Sequence, residues 1–263
     1  MNILDEIFAS KRLEVAERQR TRPLAALRRE AETTLPARDF VAALRAAPAK
    51  PALIAEVKCA SPSRGVLVKD FDPLRLARIY QENGAAAISV LTDAPYFKGH
   101  LDYLRQIAAL EYRPPLLRKD FIYDPYQVYE SRAAGADAVL LIAAYLEPVQ
   151  FRDLHTLVCQ TGMAPLVEVH TQAELESILA VGPVLVGINN RDLRDFTVHL
   201  DTALNLKSLL PPGVCSVAES GIHTPADAAR LGAAGINAIL VGEALVTAPD
   251  IAAQVRLLSN AGG

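Results

Sequence analysis

Three stretches of this chain repeat one arrangement of polar and apolar positions. They are Asn83-Gly84-Ala-Ala-Ala-Ile-Ser-Val-Leu91, Ala134-Gly135-Ala-Asp-Ala-Val-Leu-Leu-Ile142 and Ala234-Gly235-Ile-Asn-Ala-Ile-Leu-Val-Gly242. Each follows a stretch of helical periodicity, puts Gly where a helix ends with φ > 0, and runs straight into an apolar strand. The glycines lie 51 and 100 residues apart, close to two and four units of about 25 residues, the mark of a chain built from repeated strand–helix units. Further apolar runs predict strands over Leu53–Lys58, Ala86–Thr92, Pro115–Lys119, Asp137–Ile142, Ala164–Val169, Val184–Ile188, Val214–Glu219 and Ala238–Val241. Helical periodicity predicts helices between them, among others over Pro73–Asn83, Pro125–Ala134, Pro148–Gln160, Gln172–Ala180 and Pro225–Ala234. Asp72-Pro73, Asp124-Pro125 and Thr224-Pro225 carry a capping side chain followed by Pro in the first turn, which marks a helix start.

The strands read as near-continuous apolar runs, as in a parallel sheet covered on both faces. Eight such units in about 210 residues predict a (β/α)8 TIM barrel in the α/β class. The alternative, a doubly wound open sheet, rarely takes eight evenly spaced strands and usually has a GxGxxG turn after its first strand, which this chain lacks. Residues 1–48 precede the first unit. Ile3, Leu4, Ile7, Phe8 and Val15 form an apolar stripe at helical spacing, and Asp39–Ala47 reads as a second short helix. The expectation is one barrel domain over residues 1–263, with 1–48 as a helical extension packed on it. Arg12, Arg18, Arg20, Arg22, Arg28 and Arg29 alternate with Glu14, Glu17, Glu30 and Glu32 there, the composition of an ion-paired surface.

Composition narrows the partners. The formal charge of −3, from 27 basic and 30 acidic residues, gives no global field for nucleic acid or an anionic membrane. The longest apolar run, Ala138 to Leu146, has nine residues, against the roughly 18 of a membrane helix. Asp5 and Glu6 leave no apolar signal-peptide core, and the three cysteines include no CxxC pair, so a cytoplasmic protein is expected. No two of the five histidines lie closer than fifteen residues, so no helical metal-ligand pair is present and no metal is expected.

Barrel chemistry occurs where the strands end. The candidate ends are Glu56-Val-Lys58, Arg118-Lys119-Asp120, Glu168-Val-His170, Asn189-Asn-Arg191, Glu219-Ser220-Gly221 and Gly242-Glu243. Residues two apart on a strand face the same side, so Glu56 and Lys58 point together, and a wet mouth tolerates their charge better than the helix layer. Gly-containing turns at Ser220-Gly221 and Gly242-Glu243, after the seventh and eighth strands, match the usual phosphate cradle of this fold. Ser61-Pro62-Ser63-Arg64-Gly65 offers hydroxyls and a cation to the same region.

These residues resemble a known family. Ala55-Glu56-Val-Lys58-Cys-Ala-Ser61-Pro62-Ser63-Arg64-Gly65 resembles the signature of indole-3-glycerol phosphate synthases. The match continues in order through Leu91–Gly99, Leu117–Ile122, Leu166–His170, Gly187–Leu193, Ala218–Ile222 and Leu240–Leu245. Two positions depart from the family's usual pattern: Cys59-Ala60 stands where basic residues are frequent, and Glu243 where Ser is common. The resemblance implies closure of an indole ring from 1-(2-carboxyphenylamino)-1-deoxyribulose 5-phosphate, with loss of carbon dioxide and water. It implies Lys119 as general acid, Glu168 as base, Lys58 as partner of the substrate carboxylate and candidate second acid, and Glu56 as the group orienting both lysines. Asn189 and Arg191 would contact the anthranilate part, with Phe97 and Phe121 as apolar walls or as core. Ser61, Ser220, Gly221, Gly242 and Glu243 complete the site as candidates for catalysis or phosphate binding. No cofactor is implied, and a monomer acting on a small phosphorylated substrate is expected. Two rivals keep the fold: a Schiff-base aldolase using Lys58 or Lys119, and a barrel that binds a sugar phosphate without turnover.

Overall fold

The computed structural model describes residues 3–192 and 197–261. Eight parallel strands close on themselves in sequence order: β1 Ala52–Val57, β2 Ala87–Leu91, β3 Leu116–Lys119, β4 Ala138–Ile142, β5 Ala164–Val169, β6 Leu185–Asn189, β7 Cys215–Glu219 and β8 Ala238–Val241. This is the expected (β/α)8 barrel. The expected strands fall within a residue of these bounds, because a parallel strand buried on both faces shows as an unbroken apolar word. The helix starts also fall where the caps put them. Asp72, Asp124 and Thr224 each accept from the first turn of the helix that Pro opens. The repeat glycines Gly84, Gly135 and Gly235 sit at φ of 97°, 87° and 81°.

Two apolar layers result. Side chains such as Leu53, Val90, Leu141, Val167 and Ile239 point outward into the helix layer. Their neighbours Ile54, Leu117, Leu140, Leu166, Val217 and Leu240 fill the lumen. The first residues close that lumen at both ends. Helix α1, Ile3–Thr21, sets Leu4, Ile7 and Phe8 against the top of the inner layer, and α3, Phe40–Ala46, sets Phe40 and Leu44 against its floor. Between them α2, Leu24–Thr33, is a helix that the hydrophobic pattern does not announce. It buries only Leu27 and Ala31, and packs with Val15 and Tyr126. Leu4, Ile7, Phe8 and Val15 of the expected stripe are buried; the Ile3 side chain lies outside the described residues. Arg20–Glu17 at 3.0 Å and Arg22–Glu30 pair as expected, whereas Arg28 lies 4.9 Å over the Tyr129 ring. Arg18 departs from a plain solvated face, because it reaches the buried Glu130 at 2.9 Å. Among the described residues no helix is long and apolar enough to cross a membrane.

At the floor, Asp137 ties the incoming chain to the barrel. Its carboxylate, 1% exposed, accepts from the backbone N–H of Arg38 at 2.8 Å and of Leu116 at 2.7 Å, and pairs with the Arg113 guanidinium. Asp137→Ala would strand two N–H groups and a guanidinium, an expected loss of about 3 kcal/mol of unfolding free energy. Because Asp137 lies at the end of the barrel away from the strand C-termini, kcat should stay within about twofold. Urea unfolding and steady-state kinetics on the same variant check both halves.

Candidate active site

A cavity of about 480 Å³ opens where the strands end. Glu56, Lys58, Ser61, Phe97, Lys119, Phe121, Glu168, Asn189, Arg191, Ser220, Gly221, Gly242 and Glu243 all line it, so every candidate site residue reaches one mouth. Leu193, the last residue of one motif, lies outside the described residues.

Period-two alternation decides which charges arrive there. At the end of β3, Lys119 points inward, while Arg118 and Asp120 point into the helix layer. Sequence parity allows either set inside, and the expectation that outward charge is avoided does not hold. Arg118, wholly buried, pairs with Asp120 and Glu130 at 2.9 Å each and donates to Thr92 Oγ1 and Ser131 Oγ. Full pairing is what makes such burial tolerable.

The inward ring holds two lysines against three carboxylates. Lys119 Nζ lies 2.5 Å from Glu219 Oε2 and 3.8 Å from Glu168 Oε2, and Lys58 Nζ lies 3.4 Å from Glu56 Oε1. Burial alone would push the Lys119 ammonium down; Glu219, Glu168 and Glu56 outweigh it and hold the pKa above the ordinary lysine value. Burial, then Glu168 and Glu56, push the Glu219 carboxyl up to about 7 against the pull of Lys119. The Lys58 ammonium also sits 5.7 Å over the Phe97 ring. Behind Glu168 stands His170, its Nε2 3.4 Å from Glu168 Oε1 and its Nδ1 3.2 Å from Glu174. Burial lowers the imidazole pKa, but Glu174 and Glu168 outweigh it, so the net shift is upward.

Two glycines make room for these carboxylates. A Cβ on Gly187 would lie 2.3 Å from Glu219 Oε1, and one on Gly242 would lie 2.5 Å from Glu56 Oε1. Gly242 thus serves the carboxylate ring as well as the turn read as a phosphate cradle. Ser220 and Gly221 take left-handed φ of 67° and 76°, and the Ser220 carbonyl accepts from Asn190. Glu243 faces Arg64 at 3.5 Å. Ser61 Oγ accepts from the Arg64 N–H at 3.2 Å and so shapes its own loop. Asn189 Oδ1 accepts from the Arg191 N–H at 3.0 Å.

Sequence reasoning passes over three contributors. Glu219 is visible as a polar strand end but yields its place to Ser220; the signal is its pairing in register with Asn189, which faces the same mouth. Leu4 and Ile7 of α1 line the cavity although they read only as packing residues. The far wall is aromatic: Phe121 meets Phe8 edge-on at 5.5 Å and Phe97 at 6.1 Å.

The sequence model of the indole-3-glycerol phosphate synthase family matches residues 4–258. Relatives bearing that name include one from Albidiferax ferrireducens, 53% identical over 95% of both chains, and one from Roseiflexus castenholzii, 55% identical over 98% of both. Among solved structures, 3-hexulose-6-phosphate synthase from Salmonella typhimurium superposes with a TM-score of 0.60 at 12% identity, covering 80% of this chain and 97% of that one, a likeness of fold.

The raised Glu219 pKa has a measurable sign. The native carboxyl keeps its proton to about 7, the unfolded one to about 4.5, so between those values the native state binds more protons and stability falls as pH rises. Urea unfolding from pH 4.5 to 7 should therefore show the native chain losing stability relative to Glu219→Gln. A difference that stays flat across that window would mean that Glu219 titrates normally.

Proposed function

The chain belongs to the indole-3-glycerol phosphate synthase family, and from that premise we propose which group in the mouth moves which proton. The reaction converts 1-(2-carboxyphenylamino)-1-deoxyribulose 5-phosphate into indole-3-glycerol phosphate, carbon dioxide and water, a carboxy-lyase step of tryptophan biosynthesis. The ring carbon bearing the carboxylate attacks the ketone carbon, and the carbonyl electron pair becomes an alkoxide. Lys119, held protonated by its carboxylate neighbours, gives that oxygen its proton. The C–CO2 bond then breaks and its electrons restore the aromatic ring. The new hydroxyl leaves as water with a second proton, from Lys58, and Glu168 removes the last proton to complete the indole. Two protons are given and one taken, so one is consumed per turnover.

The observation that carries this reading is the Lys119–Glu219 contact at 2.5 Å facing the Lys58–Glu56 pair at 3.4 Å across one cavity. An acid stationed against a buried base can be reprotonated in place. Glu219, with its carboxyl near 7, is suited to return that proton to Lys119, and Glu56 orients Lys58. Phe97 and Phe121, with Leu4 and Ile7, form an apolar slot for the anthranilate ring, and Asn189 and Arg191 line the same cavity. The phosphate takes the turns at Ser220-Gly221 and Gly242-Glu243. Glu243 is itself an anion, and the Arg64 guanidinium 3.5 Å away offsets its charge beside the phosphate. We propose further that residues 1–263 fold as one unit, act as a monomer in the cytoplasm and take no nucleic acid.

Lys119→Met keeps roughly the length of the side chain and removes the proton. Turnover, followed by indole fluorescence, should fall about 10²- to 10⁴-fold with a much smaller change in KM. Arg in its place should rescue little, because it is a poorer donor of different shape. Borohydride with substrate should leave no adduct on Lys119 or Lys58. Trapping at either lysine would make the chemistry an imine mechanism instead.

A further inference from the structure

The apolar stripe of α1 advances by three and four residues through Leu4, Ile7, Phe8 and Val15, and the position it skips is 11. A lysine stands there, 1% exposed. Its Nζ lies 2.8 Å from Glu14, 2.9 Å from Asp93 and 2.9 Å from Asp120. The last two of these carboxylates begin loops that feed the mouth. Asp93 caps the short helix Ala94–Phe97 by accepting from Tyr96 N–H, and its carbonyl accepts from Gly99 N–H. Asp120 adjoins Lys119. Its Oδ1 accepts from Phe121 N–H at 2.8 Å, and its Oδ2 takes Thr92 Oγ1 at 2.6 Å and Arg118 at 2.9 Å. Thr92 N–H in turn donates to the Lys119 carbonyl at 3.1 Å.

We propose that Lys11 is a positioning residue: by clamping Asp93 and Asp120 together, helix α1 fixes how far the Lys119 ammonium reaches into the mouth. The proposal rests on Lys119 as the acid. A compact ammonium suits the task, because three carboxylates can share a point charge, whereas a guanidinium fork would favour one of them. The clamp's own electrostatics differ between its arms. The carboxylates outweigh burial and raise the Lys11 pKa, and Lys11 and Arg118 hold Asp120 below the ordinary carboxylate value despite its burial. At Asp93, by contrast, burial outweighs Lys11 and raises the carboxyl. A shift of about 1 Å in a catalytic group is enough to cost turnover heavily.

The partners differ in a way that separates position from stability. Asp120 also has Arg118, and Glu14 also has Arg18, whereas Asp93 faces Lys11. Lys11→Met therefore strands Asp93, and adding Asp93→Asn removes that stranded charge while keeping a capping side chain. We expect Lys11→Met to lower both Tm and kcat, with kcat down about 10- to 100-fold and KM within about threefold. In the Lys11→Met/Asp93→Asn double variant, Tm should recover while kcat remains at least about tenfold low. If Lys11→Met fails to fold, the double variant alone gives the kcat and KM that decide the matter. Recovery of kcat together with Tm would reduce Lys11 to charge balance and overturn the proposal. Lys119→Met, assayed beside them, separates the two readings. If it is inactive while the double variant turns over normally, positioning by Lys11 fails alone; if it is itself active, the acid assignment fails first.

Discussion

In a closed parallel barrel, every strand residue is interior to something. Alternate side chains enter the lumen, and those between them enter the layer under the helices. Nothing on a strand is spare, so a polar residue at a strand end must either face the mouth or be paired within the wall. The end of β3 does both in consecutive residues. Lys119 enters the mouth, and its neighbours Arg118 and Asp120 build a buried ion-paired wall behind it. The reactive charge and its scaffold are thus encoded side by side, and neither can move without the other.

That constraint also shapes the electrostatics. The mouth gathers three carboxylates about two lysines; the carboxylates keep Lys119 protonated, and burial, with Glu168 and Glu56 beside it, pushes Glu219 toward neutrality. Such a pair, one group held on its proton and the other close to giving it up, suits the passing of protons at neutral pH. Space is tuned to the same end, since Gly187 and Gly242 leave room for Glu219 and Glu56 where any side chain would collide with them.

Much of this is legible in the sequence, for physical reasons that also mark where legibility stops. The strands read clearly because burial on both faces leaves them almost wholly apolar before their ends, with only small polar residues such as Ser89 and Ser216 interrupting the run. The caps read clearly because Asp or Thr before Pro has few other uses. Helix α2 does not read as a helix: with only Leu27 and Ala31 buried in ten residues, it lacks an apolar stripe wide enough to see. At Arg118-Lys119-Asp120, parity narrows the choice to two arrangements without deciding between them, since all three residues are charged. Glu219 is overshadowed by the Ser220-Gly221 turn beside it, and only its register with Asn189 across β6 and β7 reveals it. Lys11 leaves a trace, a gap in an otherwise regular stripe, whose meaning requires the fold.

The route of the first residues, over the mouth with α1 and under the floor with α3, also bears on how the chain is made. Synthesis is vectorial, so α1 leaves the ribosome long before its partners exist. Tyr145, whose hydroxyl donates to Asp5, follows it by 140 residues, and Gly213, whose carbonyl accepts from Arg45 of α3, lies 168 residues further along. Phe40 meets the first two strands early, but Leu4, Ile7 and Phe8 belong to an inner layer whose members run on to Leu240, so their full apolar surround arrives late. Helix α1 therefore docks on strands that follow it by a hundred residues and more, and the mouth is sealed only once the later strands stand in register.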